Sequence, residues 1–157
     1  MEEKNKIDGI IEEELLKHGS SASRVRGNSM LPLLRHERDA VFLKKCDTSP
    51  RKYDIVLYRN ENSRYVLHRV IGVKGDTLVI RGDNTYEREY VSKGDILAVL
   101  VSYTRKGKHK SVNSTGHKVY SVVWCLIYPI RRCLIAARRV LGRVYRFIFK
   151  KKIKEQE

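Results

Sequence analysis

Ser29 lies in a short segment whose residue types suit nucleophilic chemistry at a turn, Gly27-Asn28-Ser29-Met30-Leu31-Pro32. A serine hydroxyl is a poor nucleophile unless a base removes its proton, so such a serine needs a partner elsewhere in the chain. Gly27 leaves room for an extended peptide to pass close by, and Pro32 stiffens the turn after the serine. Ser after Gly and Asn is also ordinary turn composition, so a simple turn serine is the alternative.

The candidate base is His68, within the strand-like segment Tyr65-Val66-Leu67-His68-Arg69-Val70-Ile71. Alternation along a strand places His68 on the same side as Val66 and Val70. An imidazole in apolar surroundings has a lowered pKa and can accept a proton near neutral pH. The alternative is a structural histidine whose ring is satisfied by a backbone carbonyl.

A carboxylate that could orient this imidazole follows the next predicted strand, in Arg81-Gly82-Asp83-Asn84. The hairpin turn Lys74-Gly75-Asp76 joins the two strands, which predicts that Asp83 lies near His68. There the carboxylate would orient the ring and stabilise its charged form. The alternative is that this segment is only a turn.

Six short β-branched segments, separated by turn residues, supply the elements that must position these groups. The predicted strands are 22–26, 40–44, 54–58, 65–73, 77–81 and 96–103. Turn residues at about every tenth position are typical of an antiparallel sheet or barrel rather than of alternating strands and helices. We therefore expect a mainly β fold with a compact antiparallel, barrel-like domain. A short amphipathic helix over 8–18 precedes it, and a basic amphipathic helix follows.

Composition divides the chain into four parts. Residues 1–20 are the N-terminal amphipathic helix, 21–104 the β domain, 105–118 a basic linker, and 119–157 a basic amphipathic helical tail. From residue 105 onward lie 15 of the 33 Lys and Arg residues but only 2 of the 18 acidic ones. The linker and the tail together therefore carry +13 of the net charge of +15. This distribution favours a neutral domain with a basic arm over a nucleic-acid-binding face.

Four ordered pieces of the chain resemble the signal peptidase I family and its wider clan, which includes phage-repressor-type self-cleaving proteases. The pieces are Gly-Asn-Ser-Met-Leu-Pro at 27–32, Lys-Tyr-Asp-Ile-Val-Leu-Tyr at 52–58, Leu-His-Arg-Val-Ile-Gly at 67–72 and Arg-Gly-Asp-Asn at 81–84. The resemblance implies a β-fold serine endopeptidase that cleaves leader or signal peptides. Bacterial members usually have Lys where this chain has His68, and a His before Arg-Val is similar to the archaeal and endoplasmic-reticulum branch.

The resemblance also implies roles for individual residues. Ser29 would be the nucleophile, His68 the general base and Asp83 a third catalytic residue. The main-chain groups expected to bind substrate and to form an oxyanion hole belong to three residues around the serine: Gly27, Asn28 and Met30. No metal and no cofactor is expected.

Two departures from the family pattern concern the site. Family members commonly have further Asp or Ser residues after Gly-Asp-Asn, whereas this chain continues with Thr85-Tyr86-Glu87-Arg88-Glu89. A second acidic helper would therefore have to be a Glu. Tyr53 also stands where the family usually has Gly, directly before Asp54.

The N-terminal transmembrane anchor that is usual in the family is not apparent, because residues 1–18 are rich in Glu and Lys. We expect the tail to replace it. An apolar face opposite an Arg-rich face suits the interface of an anionic membrane, over residues 119–152. The expected location is peripheral, on the cytoplasmic face rather than the outer one. Packing on a partner protein or on the domain itself is the alternative, and the density of Arg argues against a spanning helix.

Other functions stay open at this point. A repressor-type self-cleaving switch needs a DNA-binding domain, and the roughly 20 residues ahead of the β domain are too few for one. A catalytically silent peptide- or membrane-binding module would leave Ser29 unactivated. Nucleic-acid binding through the tail would depend steeply on salt. The three cysteines, Cys46, Cys125 and Cys133, show neither metal-site spacing nor a disulfide framework.

Overall fold

A computed structural model describes residues 2–61, 64–133, 137 and 141–142 of the chain. Its main feature is one antiparallel sheet of eight strands in the order β1-β2-β7-β3-β4-β5-β6, with β8 paired to β7. The strands are β1 Ser20–Arg24, β2 Ala40–Lys45, β3 Ile55–Arg59, β4 Tyr65–Lys74, β5 Thr77–Arg81, β6 Glu89–Ser92, β7 Ile96–Arg105 and β8 Lys108–Ser111. The sheet is curled, and the predicted mainly β fold is confirmed.

Alternation along the central strands builds an apolar cluster on each face of the sheet. On β3, Ile55 and Leu57 belong to one cluster, whereas Val56 and Tyr58 belong to the other. On β4, Val66 and Val70 lie with Val56 and Tyr58, as the sequence predicts. Each fully buried Leu or Ile contributes about 1.5–3 kcal/mol to stability. A shift of one residue in strand register would move these side chains to the other face of the sheet and is therefore strongly disfavoured.

The N-terminal helix α1 spans Glu2–His18, which is longer than the predicted 8–18. It ends where predicted, since Gly19 has φ +66° and its N–H donates to the Leu15 carbonyl at 3.1 Å. Only part of its predicted apolar face is buried: Ile11 and Leu15 enter the larger cluster, whereas Leu16 is 70% exposed. The helix lies in the same compact unit as the sheet, Met1–Val122.

The segment predicted as a basic linker, 105–118, folds instead. Lys106 and Gly107 both have positive φ, at 51° and 75°, and form the two-residue turn of a hairpin between β7 and β8. The second helix, α2, spans Thr115–Leu126 and so begins inside the predicted linker. Strand β8 could not be predicted from the sequence, because all four of its side chains are exposed and its residues show no apolar alternation.

The predicted tail, 119–157, is described only in part. Within the second compact unit, Val123–Glu157, a turn at Ile127 ends α2, and helical residues resume over 128–133 around Pro129. Residues 134–136, 138–140 and 143–157 of the predicted tail lie outside the described residues. Within the described part of the chain, no helix has an apolar stretch long enough to cross a membrane.

Candidate active site

The segment that carries Ser29 is a series of turns between β1 and β2. Gly27 has φ +83°, a conformation that favours glycine, and its N–H donates to His36 Nδ1 at 3.2 Å. Met30 is buried in the larger apolar cluster, and this packing attaches the segment to the core of the domain. Ser29, which directly precedes Met30 in a turn, is half-buried.

A second turn, which follows β5, holds the serine segment in place. The backbone N–H of Asn84 donates to the Ser29 carbonyl at 2.7 Å, and its side-chain Nδ2 donates to the Asn28 carbonyl at 3.2 Å. These two bonds fix the peptide groups on both sides of Ser29. Asn84 is therefore a positioning residue, a role that the sequence did not indicate.

His68 lies beside the serine segment, across Gly82. A Cβ atom added at Gly82 would meet the Ser29 carbonyl at 2.8 Å and His68 Nε2 at 2.9 Å. The Ser29 carbonyl and the imidazole thus both lie close to Gly82, and a side chain at this position would collide with them. Among the described residues no hydrogen bond joins the Ser29 hydroxyl to the ring, as is common before substrate binds.

The other ring nitrogen of His68 faces a carboxylate. Nδ1 lies 3.0 Å from Glu89 Oε1 and 3.2 Å from the Tyr58 hydroxyl. That hydroxyl donates to Glu89 Oε2 at 2.6 Å, so its proton is committed to the carboxylate. The proton of a neutral imidazole then belongs on Nδ1, where Glu89 accepts it, and Nε2, which lies next to Gly82, keeps its lone pair.

Burial dominates the protonation of His68, whose residue is only 6% exposed. Loss of hydration lowers the pKa of the imidazole below its ordinary value, and the nearby Glu89 carboxylate opposes this effect in part. Asp83 makes a smaller contribution in the same direction as Glu89. The ring is therefore neutral and able to accept a proton at neutral pH.

Asp83 lies against Arg69 rather than against the imidazole nitrogens. Its two carboxylate oxygens accept from Arg69 Nε and Nη2, each at 2.8 Å, and both side chains are buried. Arg69 Nη1 also donates to Ser121 Oγ of α2 at 2.7 Å. The pair therefore ties β4, the turn after β5 and α2 together.

Pleating explains why Glu89 rather than Asp83 reaches the ring. Arg69 and Arg81 are directly opposite in the β4–β5 ladder. Side chains alternate between faces, so Asp83 shares the face of Arg69, whereas Gly82 shares that of His68. Glu89 is opposite Ile80 in the β5–β6 ladder and so lies on the face of His68. The sequence named the segment that contains Glu89 but missed β6, which positions it.

Ser29 is one of the residues that line an apolar groove. The groove has a volume of about 180 Å³ and runs between β1 and the start of β4, two strands that are not neighbours in the sheet. Its apolar walls come from α1, from the strands and from the serine segment, with Ile11, Val25, Met30, Leu57, Tyr65 and Leu67 among them. A chain lying in this groove would therefore lie beside Ser29.

Free backbone donors surround the serine. No hydrogen bond recorded within the described residues uses the N–H groups of Asn28, Ser29 or Met30, whereas that of Gly27 is taken by His36. Donors of this kind could bind a developing oxyanion. No group of His, Cys, Asp or Glu side chains suited to a metal ion occurs in the part of the chain that the structure describes.

Comparison with protein families identifies the family of the chain. The family model described as signal peptidase, peptidase S26, matches residues 18–122, about two thirds of the chain. No match was found among curated proteins. The matched family is one of serine peptidases. The chain thus belongs to the signal peptidase family, peptidase S26.

Proposed function

We propose that this protein is a serine endopeptidase that cleaves leader or signal-type peptides, with Ser29 as nucleophile and His68 as general base. The observation that carries the proposal is the environment of the imidazole. Its Nε2 faces the serine turn across Gly82, while its Nδ1 is held by Glu89. This arrangement supports a nucleophile, a base and an orienting carboxylate in the roles of Ser29, His68 and Glu89.

In the acylation step, Ser29 Oγ attacks the carbonyl carbon of the scissile peptide bond. His68 Nε2 takes the hydroxyl proton, and Glu89 stabilises the imidazolium that forms. The tetrahedral intermediate then collapses. Its carbon–nitrogen bond breaks as the imidazolium returns the proton to the leaving amine, which produces an acyl-enzyme on Ser29 and a neutral His68.

The oxyanion of the intermediate needs donors that are already in position. The unused N–H groups of Ser29 and Met30 are the best placed, because they belong to the turn that carries the nucleophile. Asn84 holds that turn by its bond to the Ser29 carbonyl. Preorganised donors of this kind typically contribute about 10²–10³-fold to kcat each.

Deacylation uses the same groups in reverse. Water attacks the ester carbon while His68 Nε2 takes one of its protons, and the imidazolium then protonates the departing Ser29 oxygen. The products are the free carboxyl end of the leader and the free amine of the mature chain. Neither step requires a metal or a cofactor.

The groove supports an extended peptide as the substrate. β1 is an edge strand of the sheet and borders the groove, so a peptide could pair with its free backbone groups. The apolar walls would take side chains that precede the scissile bond. Leader and signal segments are rich in such side chains.

The test is cleavage of peptides with leader-type segments by wild-type protein and by Ser29→Ala and His68→Ala variants. Each variant should lose cleavage while keeping its circular dichroism spectrum. Full activity in both folded variants would overturn the proposal. A Ser29-dependent fragment of the chain itself would favour a repressor-type self-cleaving switch, and no cleavage at all would favour a silent binding module.

We further propose that α2 and the basic residues after it bind an anionic membrane surface, on its cytoplasmic face. The supporting observation is an exposed apolar stripe on α2, formed by Val119, Val122, Val123 and Leu126. Beyond it, the Arg131 guanidinium lies 3.5 Å from the centre of the Trp124 ring. Apolar, aromatic and basic side chains in this order are typical of a helix at a membrane interface.

A further inference from the structure

Helix α1 lies outside the region that matches the family model, which begins at residue 18, yet it contributes to the groove at Ser29. Ile11 is one of the groove's lining residues and is only 8% exposed. One wall of the groove is therefore supplied by a residue outside the matched region. The shape of that wall can therefore influence which side chains the groove of this protein accepts.

The helix is attached to both strands that border the groove. On the β1 side, Ser21 Oγ donates to Glu14 at 2.6 Å, and Ser21 is buried. On the β4 side, Glu12 accepts from the Tyr65 hydroxyl and from Arg59 Nη2, the latter at 2.6 Å. Since β1 and β4 are not paired with each other, α1 bridges a gap in the curled sheet.

These attachments make the Ile11 wall rigid. Tyr65 itself lines the groove, so Glu12 fixes a second lining residue as well as the helix. Below them, Leu15 packs into the larger apolar cluster together with Met30 of the serine segment. A wall that is held at three points cannot move aside for a larger side chain at low cost.

We propose that α1 is a specificity element and that Ile11 limits the size of the substrate side chain that the groove accepts. The ligand is an apolar side chain on the acyl side of the scissile bond, in an extended peptide. This inference rests on the proposed function, because it concerns the peptide that Ser29 would cleave. Ile11 does not touch the reacting atoms, so its effect is on the choice of substrate rather than on the chemistry.

The experiment compares pairs of leader-type peptides that carry Ala or Phe at each position before the cleavage site, with kcat/KM measured for both. In Ile11→Ala the ratio of Phe to Ala should rise about tenfold at one position, since a few methylene groups in an apolar pocket discriminate by roughly 10–200-fold. Leu16→Ala is the matched control, because Leu16 is exposed on the same helix, and its ratio should equal that of wild type.

If Ile11→Ala does not fold, Ile11→Val removes less of the side chain and takes its place. The ratio of kcat/KM for Phe over Ala peptides should then rise by a smaller factor at the same position. An unchanged ratio at every position, in a folded Ile11 variant that still cleaves through Ser29, would overturn the inference and leave the proposed function intact. Absence of Ser29-dependent cleavage in wild-type protein would instead overturn the proposed function and this inference with it.

Discussion

At the scale of single residues, the proposed mechanism gives the two nitrogens of His68 separate tasks. Nε2 faces the serine turn, and Nδ1 faces Glu89. A buried imidazole with no carboxylate beside it would be harder to protonate during the reaction, because burial disfavours its charged form. In the proposed mechanism, Glu89 offsets that effect at the stage when the proton leaves Ser29. Its contribution should therefore appear both in the rate and in the pH dependence.

Glu89→Gln should lower kcat by about a hundredfold or more, in the range expected for general acid–base catalysis. Activity requires neutral His68, so in wild-type protein it should fall as the pH drops through the lowered pKa of the ring. Without the carboxylate that raises this pKa, the acid limb of the profile should move to lower pH. A limb that stays in place, or moves upward, would contradict this role. Glu87→Gln, at an exposed neighbour, is the control.

Gly82→Ala should abolish most activity, since the new methyl group would lie 2.8 Å from the Ser29 carbonyl and 2.9 Å from His68 Nε2. The carbonyl is backbone and cannot move without displacing the nucleophile. We expect kcat to fall about a hundredfold, because small displacements of reacting groups have effects of that size. The matched control is Gly94→Ala, where the nearest atom is 3.8 Å away. Equal kcat in the two variants would contradict the close approach.

The sequence was sufficient to name Ser29 and His68 as candidates, because both stand in local motifs in a recognisable order. The sequence was not sufficient to predict which carboxylate lies beside the imidazole. The choice between Asp83 and Glu89 depends on which face of the sheet each occupies, and this in turn depends on the register of β6 against β5. A four-residue strand that begins with a charged residue gives little periodic signal, so β6 could not be predicted from alternation.

At the scale of elements, the buried Arg69–Asp83 pair connects the sheet to α2 and to the turn that holds Ser29. Asp83→Asn would leave a buried guanidinium without its counter-charge, which typically costs about 3–5 kcal/mol. We expect the free energy of unfolding to fall by that amount in urea titrations. Asp47→Asn, in an exposed pair with Lys44, should cost about 1 kcal/mol or less.

Glu89 and Asp83 should also differ in whether their replacement affects catalysis or stability. Glu89 is one-third exposed, so Glu89→Gln should affect catalysis more than stability, whereas Asp83→Asn should do the reverse. If Asp83→Asn unfolds no more easily than Asp47→Asn, the buried pair is not the link that we infer. Urea midpoints and initial rates on the same preparations decide the matter.

The elements that the sequence missed after β7 are polar in composition. The predicted strands were all found to within two residues at each end, since each buries at least one face. Hairpin strand β8 and the first residues of α2 were taken for a linker because Lys, His and Ser dominate there. Polar composition indicates exposure, but it does not distinguish an edge strand from a loop.

At the scale of the whole molecule, charge and apolar exposure coincide at the C-terminal side of the chain. Replacing Val119 and Leu126 with Ser should weaken binding to vesicles containing about one third anionic lipid by roughly tenfold or more, because each burial contributes about 1 kcal/mol or more. Co-sedimentation at low and high salt measures this. Leu16→Ser, also exposed, is the control and should bind like wild-type protein.

Two outcomes would contradict membrane binding through α2. One is equal binding of the double variant and wild-type protein to anionic vesicles. The other is equal binding of wild-type protein to neutral and to anionic vesicles. Tighter, salt-sensitive binding to DNA or RNA than to vesicles would instead support a nucleic-acid partner for the basic residues.

The central claim is that Ser29 forms an acyl-enzyme with the help of His68, and trapping that intermediate tests it most directly. Wild-type protein is mixed with a leader-type peptide library, quenched in acid after a short interval, digested and mapped by mass spectrometry. The predicted result is an ester on Ser29 in wild-type protein that is absent in His68→Ala. Efficient cleavage with no adduct on Ser29, or an adduct on another residue, would contradict the account.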